Sequence, residues 1–512
     1  MGLCVYYFRE HPFAVRLCHR FLPQLKRFRD SHPIVGNIID KHMHVEVYDG
    51  FHRTKMTVDS VGGSFLGETL ASQNKTKVHY GLIKEVTPAA TTIEDDEAEG
   101  TKDEEKSPSK KKKARTKDSG TSSKRHKADP SAPPSGRVPL PELTDNLRLE
   151  RQKAAKEIVK RVRLSAERLP SICLYTILNA SRGVSCCEMT EDSSLLAAGY
   201  GDSTLQVWSL TSNRLKPLKP VGELGNIEKE AEDVFEQMVD DTSSAESLTF
   251  VAHSGPVYGV SISPDRSVVL SSSEDATIRL WSLYTWSNLA VYRTPDTFPV
   301  WDVHFSPHGY YFVTGSADST GQVWASDRPQ PVRILAGHFS DVLCARYHPN
   351  SNYVATGSSD RSVRLWDVSN GQCVRYFTGN KGSIQSLDFS PSGRYLVAGS
   401  SAGDVAIWDL AQAKMLANIS PHSRLVSCFA FSRDGNVLAT GSLDSSVSVH
   451  NVASLGADDD SSMDASHMLT SSRLRTKKQD LEVGHFTTKA TPLVGLHFTR
   501  RNVLLGVGAY SQ

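Results

Sequence analysis

Residues 336–367 read AGHFSDVLCARYHPNSNYVATGSSDRSVRLWD. Three short runs inside it, VLCARYHP, YVATGS and VRLWDV, alternate apolar and polar residues, the mark of strands with one buried face. HPNSN between the first two supplies turn chemistry. The same pattern recurs at 252–282 as AHSGPVYGVSISPDRSVVLSSSEDATIRLWS. Trp281, Trp324, Trp366 and Trp408 follow one another at steps of 43, 42 and 42 residues, and a further 42 reaches His450 in the degenerate copy SVSVHNV. A period of about 40–45 residues ending in Trp-Asp marks a four-stranded propeller blade. One such sheet cannot bury both faces, whereas a closed ring of them can. The predicted fold over 171–512 is an all-β, seven-bladed WD-repeat propeller.

Within a blade, polar groups recur in register. An Asp stands six residues before the Trp position at Asp202, Asp275, Asp318, Asp360 and Asp444, and a His precedes the first strand at His253, His338 and His422. We expect buried tetrads built on His253, Asp275 and Trp281, on His338, Asp360 and Trp366, and on His422 and Asp444. A half-buried Asp and His are costly unless paired. An Asp-His-Ser group can also suggest a hydrolase triad, but one repeated blade after blade is architecture, and a triad needs one exposed nucleophile. Asp296 and Asn380 replace the His in two blades, and Asp404 lies four rather than six residues before Trp408.

The 512 residues carry a net charge of +1, so no whole-molecule field points to nucleic acid or membrane. No apolar run approaches a membrane span, and the start lacks the pattern of a secretory signal. Eight cysteines without a CxxC pair fit a reducing compartment. No P-loop, HExxH, GxSxG or GxGxxG occurs in a credible setting. The histidines of residues 1–86 lack paired ligand spacing. No catalytic, cofactor or metal residues are therefore expected.

Residues 1–86 form an aromatic-rich segment in which Phe13, Leu17, Phe21, Leu25 and Phe28 recur at helical spacing, followed by expected helices through Ile34–Ile39 and over 58–73. This predicts a small α-helical N-terminal domain. Residues 87–140 have eight acidic residues from Glu94 to Glu105, then ten basic ones from Lys106 to Lys127, then a Pro- and Ser-rich stretch. Such composition predicts a disordered linker. Lys110, Lys111, Lys112, Lys113, Lys124, Arg125 and Lys127 make a nuclear import signal the functional reading of the basic run. Residues 141–170 predict a helical lead-in. The propeller carries inserts at 211–250, with an acidic amphipathic helix expected around Val234 and Phe235, and at 453–480. The end, from Glu482, supplies too few strands for a blade, so the ring should close on 171–179.

The flanking segments carry more identity than the repeats. VYDGF, VGGSFLGE, NKTKVHYGLIKE, KRVRLSAERLPSICLYTILN, SRDGNVLATGSLDSSV and LHFTRRN with GAYS together resemble the TFIID subunit 5 family, the WD-repeat TBP-associated factors, over nearly the whole chain. The resemblance implies a non-enzymatic nuclear scaffold for RNA polymerase II transcription initiation. Its partners would be other TBP-associated factors of TFIID, especially histone-fold subunits, with DNA contact indirect or weak and no membrane or small-molecule substrate. It also implies a LisH motif and a longer helical domain, whereas this chain starts inside that domain. Related readings are a SAGA-type coactivator subunit and a substrate receptor of a ubiquitin ligase. Against the last, Trp366-Asp367 and Trp408-Asp409 are followed by VSNGQ and LAQAK, without the Arg that docks an adaptor.

Overall fold

The computed structural model describes residues 13–18, 43–48, 74, 77–82, 131–134, 137–141, 145–165, 167–178, 182–219, 221–224, 234–240, 243–294, 297–456 and 481–510. It divides into two units, 1–70 and 71–512.

In the first unit, strands β1 (Phe13–Cys18) and β2 (Met43–Tyr48) pair in parallel, with Phe13 opposite Met43 and Cys18 opposite Tyr48. This corrects the helix expected through Phe13 and Leu17. FAVRLC and MHVEVY each alternate apolar and polar residues, and Val favours extended backbone. Spacing by four satisfies both periods, so Phe13 and Leu17 alone could not separate them. The other expected helices of 1–86 lie outside the described residues.

The second unit is a seven-bladed ring. Six blades are four-stranded antiparallel sheets, and their first strands run from Val184, Val257, Val300, Val342, Ile384 and Val426. The seventh has three strands: Leu493–Phe498, Leu504–Ala509 and β3 (Ile172–Ile177). The last pair is parallel, Leu504 opposite Ile172 through Ala509 opposite Ile177, so the first and last strands of the ring close it without a covalent bond.

Turn chemistry repeats with the blades. The turn between first and second strands takes positive φ at Arg266, Gly309, Ser351, Gly393 and Gly435. Adjacent blades meet through glycines of the second strand. A Cβ on Gly357 would stand 2.5 Å from Ile384 Cγ2 in the next blade and 2.7 Å from Cys344 Sγ. Trp366 packs with Tyr311, Val313 and Val323 of one neighbouring blade, and Leu365 with Ile384 and Trp408 of the other. The core is therefore a set of seams between blades.

The chain before the ring lies on it. Helix α1 (Asp145–Val159) reaches the blade 2 and 3 turns through Glu150–Arg266 at 3.2 Å and Arg151 to the Pro307 carbonyl at 3.0 Å. At its other end Glu157 pairs with Arg500 of blade 7 at 3.0 Å, and Arg161 pairs with Asp434 of blade 6. Those two arcs lie on nearly opposite sides of the ring, so the helix, about 22 Å long, passes over its axis.

Two further stretches cover the same face at blades 3 to 5. Val78 is buried in the blade 4–5 seam, and Asn350 Nδ2 donates to the His79 carbonyl at 2.7 Å. Val138 is buried beside Tyr311 and Tyr347, Arg137 pairs with Asp367, and its Nη1 donates to the Tyr353 hydroxyl at 2.9 Å. The Gly81 N–H donates to the Ser131 carbonyl at 2.9 Å. The expected boundary at residue 86 and the expected linker over 87–140 are corrected to that extent. Residues 77–82 and 137–140 are part of the propeller unit, because Val78 and Val138 fill apolar seams between its blades.

In the first insert, helix is described only over Val221–Leu224 and Val234–Met238. Around them the insert doubles back, with Leu215 bridged to Ala245 and Leu218 to Val239. Residues 225–233 and 457–480, which hold the rest of the two inserts' calls, lie outside the described residues.

Gly357→Ala should wedge blades 4 and 5 apart and cost about 1–3 kcal/mol, as overpacking does, read by denaturant unfolding. Gly222→Ala, with nothing within 4 Å of the added carbon, should leave unfolding unchanged.

Candidate interaction face and central channel

The tetrads join the strands of a blade. In blade 2, Trp281 Nε1 donates to Ser271 Oγ at 2.8 Å, His253 Nε2 lies 2.7 Å from the same oxygen, and His253 Nδ1 lies 2.9 Å from the Asp275 carboxylate. Blade 4 repeats this with Trp366, Thr356, His338 and Asp360 at 2.8, 2.7 and 2.9 Å. In blade 6 His422 reaches Thr440 and Ser446 at 2.8 Å each, while Asp444 stands 3.5 Å away. His450 takes the Trp place there, 3.4 Å from Thr440. Where His is missing, blade 3 keeps the Trp324 to Thr314 bond at 3.0 Å, and Asp404 of blade 5 turns instead to Ser420 at 2.5 Å and Lys381 at 3.2 Å. Asp296 lies outside the described residues.

Burial alone would raise the Asp275 and Asp360 carboxyls. Hydrogen bonds from His253 and Thr277, and from His338 and Ser362, outweigh it and hold both well below the usual carboxylate range. Burial depresses His338 despite Asp360, so its imidazole is neutral. Ser271 and Thr356 are fully buried, so no substrate reaches these hydroxyls as nucleophiles.

The two faces of the ring differ. The face bearing the turns between first and second strands is crossed by α1 and by residues 77–82 and 137–140. Over the opposite face no segment from outside the ring is placed among the described residues. That free face carries exposed Phe298, Phe339 (71% exposed) and Leu443. At its centre Tyr258 packs on Trp301, ring centroids 5.0 Å apart, at the mouth of a channel.

The channel has a volume of 530 Å³ and is walled by the first strands of all seven blades. Glu188, His304, Arg346, Asp388 and His497 each hold the fifth place of their strand and line it together, with Asp302 beside them. Asp302 accepts from Arg346 at 2.7 Å and from the Ala345 N–H at 3.0 Å. Glu188 accepts from the Ile262 N–H at 2.6 Å, and Asp388 from the Phe389 N–H at 2.8 Å. Burial raises both carboxyls to about 7 against the partial opposition of these bonds and of Arg346. Burial, reinforced by Arg346 and Arg433, depresses His304 and takes His497 to about 4. Burial also lifts the Cys186 and Cys428 thiols to about 12, so they are not reactive thiolates.

The channel ring was missed in the sequence because its members stand singly, about one blade apart. The signal was available: aligning the fifth residue of every first strand would have collected it. The import-signal residues Lys110, Lys111, Lys112, Lys113, Lys124, Arg125 and Lys127 lie outside the described residues.

Known proteins resemble the chain in sequence. The WD domain, G-beta repeat family matches residues 171–209, 245–282, 286–325, 329–367, 371–409 and 413–451, each stretch covering the outer strand of one blade and the first three strands of the next. Transcription initiation factor TFIID subunit 5 of Drosophila melanogaster is 44% identical over 266 residues, 51% of this chain and 37% of the relative. Its Caenorhabditis elegans counterpart is 38% identical over 346 residues, 67% of this chain and 50% of the relative. This stretch is longer than the six matched repeats together, so the likeness extends beyond the generic blade pattern. The chain belongs to the TFIID subunit 5 family. The matches span half or less of the length of these family members. A further member, the SAGA complex/transcription factor TFIID complex subunit Taf5 of Schizosaccharomyces pombe, is 33% identical over 162 residues, 31% of this chain and 22% of the relative.

Trp366→Ala should remove a buried indole and its bond to Thr356, costing about 3–5 kcal/mol in chemical denaturation. The channel carboxyls should act with a sign set by their raised folded-state values. Between the ordinary 4.5 of Glu and about 7, the unfolded chain ionises first, so stability falls as pH rises through that window. Glu188→Gln should therefore raise the melting temperature at pH 8, by roughly 1–3 °C for a domain of this size, and leave it unchanged at pH 4.

Proposed function

We propose that this chain is a non-enzymatic scaffold subunit of TFIID, acting in RNA polymerase II transcription initiation in the nucleus. The observation that carries the reading is the asymmetry of the ring. One face is occupied by the chain's own upstream segments, and the other is left with exposed aromatic side chains around a channel mouth. Exposed apolar patches of this kind mark protein contact surfaces. The names of its family members give the complex in which such contacts would be made. Other TBP-associated factors, above all histone-fold subunits, are the partners, with DNA contact indirect or weak. The tetrads hold blade shape and carry no chemistry. The basic residues Lys110–Lys113, Lys124, Arg125 and Lys127 serve nuclear import.

A SAGA-type role is a second reading, favoured by the fission yeast member, whose name joins both complexes. Co-expression with TBP-associated factors and with SAGA subunits separates the two by which set yields a stoichiometric complex. Phe298→Ala with Phe339→Ala should lower recovery of that complex at least tenfold while leaving the melting temperature unchanged. Full recovery would move the contact surface elsewhere. Replacing the seven basic residues with Gln should shift a fluorescent fusion of the chain from nucleus to cytoplasm.

A further inference from the structure

The channel is a well with one usable end. At the covered face α1 passes over the axis, and beneath it Arg433 pairs with Glu191 at 3.1 Å from one blade to another. At the free face the mouth is framed by Tyr258 and Trp301. The Trp301 Nε1 atom is buried there without a hydrogen-bond partner among the described residues, and so is His497 Nε2 deeper down.

Acidic side chains outnumber basic ones inside. Glu188, Asp302 and Asp388 come from blades 1, 3 and 5, and Arg346 is the basic side chain lining the well with them. Arg346 is committed to Asp302 at 2.7 Å. Among the described residues neither Glu188 nor Asp388 has an ion pair. The Arg346 charge also reaches Glu188 and Asp388, and Arg433 from the covered end reaches Asp388, but burial outweighs both influences and leaves these two carboxyls without a direct partner of opposite charge. The blade geometry uses an acceptor at this place but not an acid: Ser261 of blade 2 accepts from the Phe305 N–H at 3.1 Å, and blade 6 has Ala430. Costly groups that the fold does not require point to a ligand.

We propose that the well receives one basic side chain, lysine or arginine, from a partner segment laid across the free face. The proposal rests on the reading of that face as the contact surface. A long side chain with an apolar stem and a cationic head matches the well level by level. The stem passes the Tyr258–Trp301 mouth, and the head donates hydrogen bonds to Glu188 and Asp388. A bare divalent ion matches less well. The carboxylates approach from separate blades, and no three potential ligands converge closely enough to hold a metal among the described residues. The head would replace the protons that Glu188 and Asp388 hold near neutrality, with the Asp302–Arg346 pair and the neutral His304 and His497 facing the same space.

The test is calorimetric titration of the full chain with capped peptides Ac-Gly-Leu-X-Leu-Gly-NH₂. Peptides with X as Arg or Lys should bind, and those with X as Gln or Glu at least tenfold more weakly. Affinity for the Arg peptide should rise from pH 6 to pH 8 as the two carboxyls ionise. Glu188→Gln with Asp388→Asn should weaken it at least tenfold, while the melting temperature holds or rises, which separates lost binding from lost folding. Equal affinity for Arg and Gln peptides, an unchanged double variant, or no binding at millimolar peptide would overturn the proposal. The two readings fail separately. If Phe298→Ala with Phe339→Ala abolishes complex recovery but no peptide binds, the face stands and the well falls. If the peptide binds as described but that variant keeps its partners, the well stands as a cation site and the face reading falls.

Discussion

A lone four-stranded sheet in water leaves one apolar face uncovered, and every other feature of this propeller answers that constraint. Each blade lends one face to each neighbour, so the arrangement is stable only when the last blade meets the first. Here the meeting is made by β3, which joins the far end of the chain in parallel and leaves blade 7 with three strands. The seams are tight because glycines of the second strand let the next blade approach, as Gly357 does for Ile384. The Trp-Ser/Thr-His-Asp chains lie across the sheets of blades 2 and 4 and tie their strands where apolar contact alone would leave polar atoms unsatisfied.

Closure also makes the two faces chemically separate. Seven first strands brought side by side around an axis turn isolated residues into a ring, and the upstream chain then occludes one end. The result is a platform that exposes Phe298, Phe339 and Leu443 around a centre that gathers Glu188, Asp302 and Asp388. The stability cost of that centre is consistent with the familiar opposition between tight folding and binding.

Much of this was legible in the sequence, because the propeller repeats itself. The Trp spacing, the strand alternation in VLCARYHP and the His and Asp offsets each appear several times, so one ambiguous copy such as SVSVHNV is read by its neighbours. What was not legible occurs once. Val78 with Tyr80, and Val138 with Leu140, are short apolar pairs that belong to no repeat, and only the seams they enter explain them. Phe13 and Leu17 satisfy two periodicities, and choosing between them needed β2 thirty residues later. The channel acids are scattered because a ring is a property of closure, and no local window contains it.

The hydrogen bond between Gly81 and Ser131 has a consequence of its own. It holds residues 81 and 131 side by side, so the stretch between them, which includes the acidic and basic runs, leaves and rejoins the ring at one place. The entropic cost of such a closure grows only with the logarithm of its length. Residues can be gained or lost between those two points with little effect on the seven sheets. Selection can therefore tune the charge content of the stretch independently of the ring.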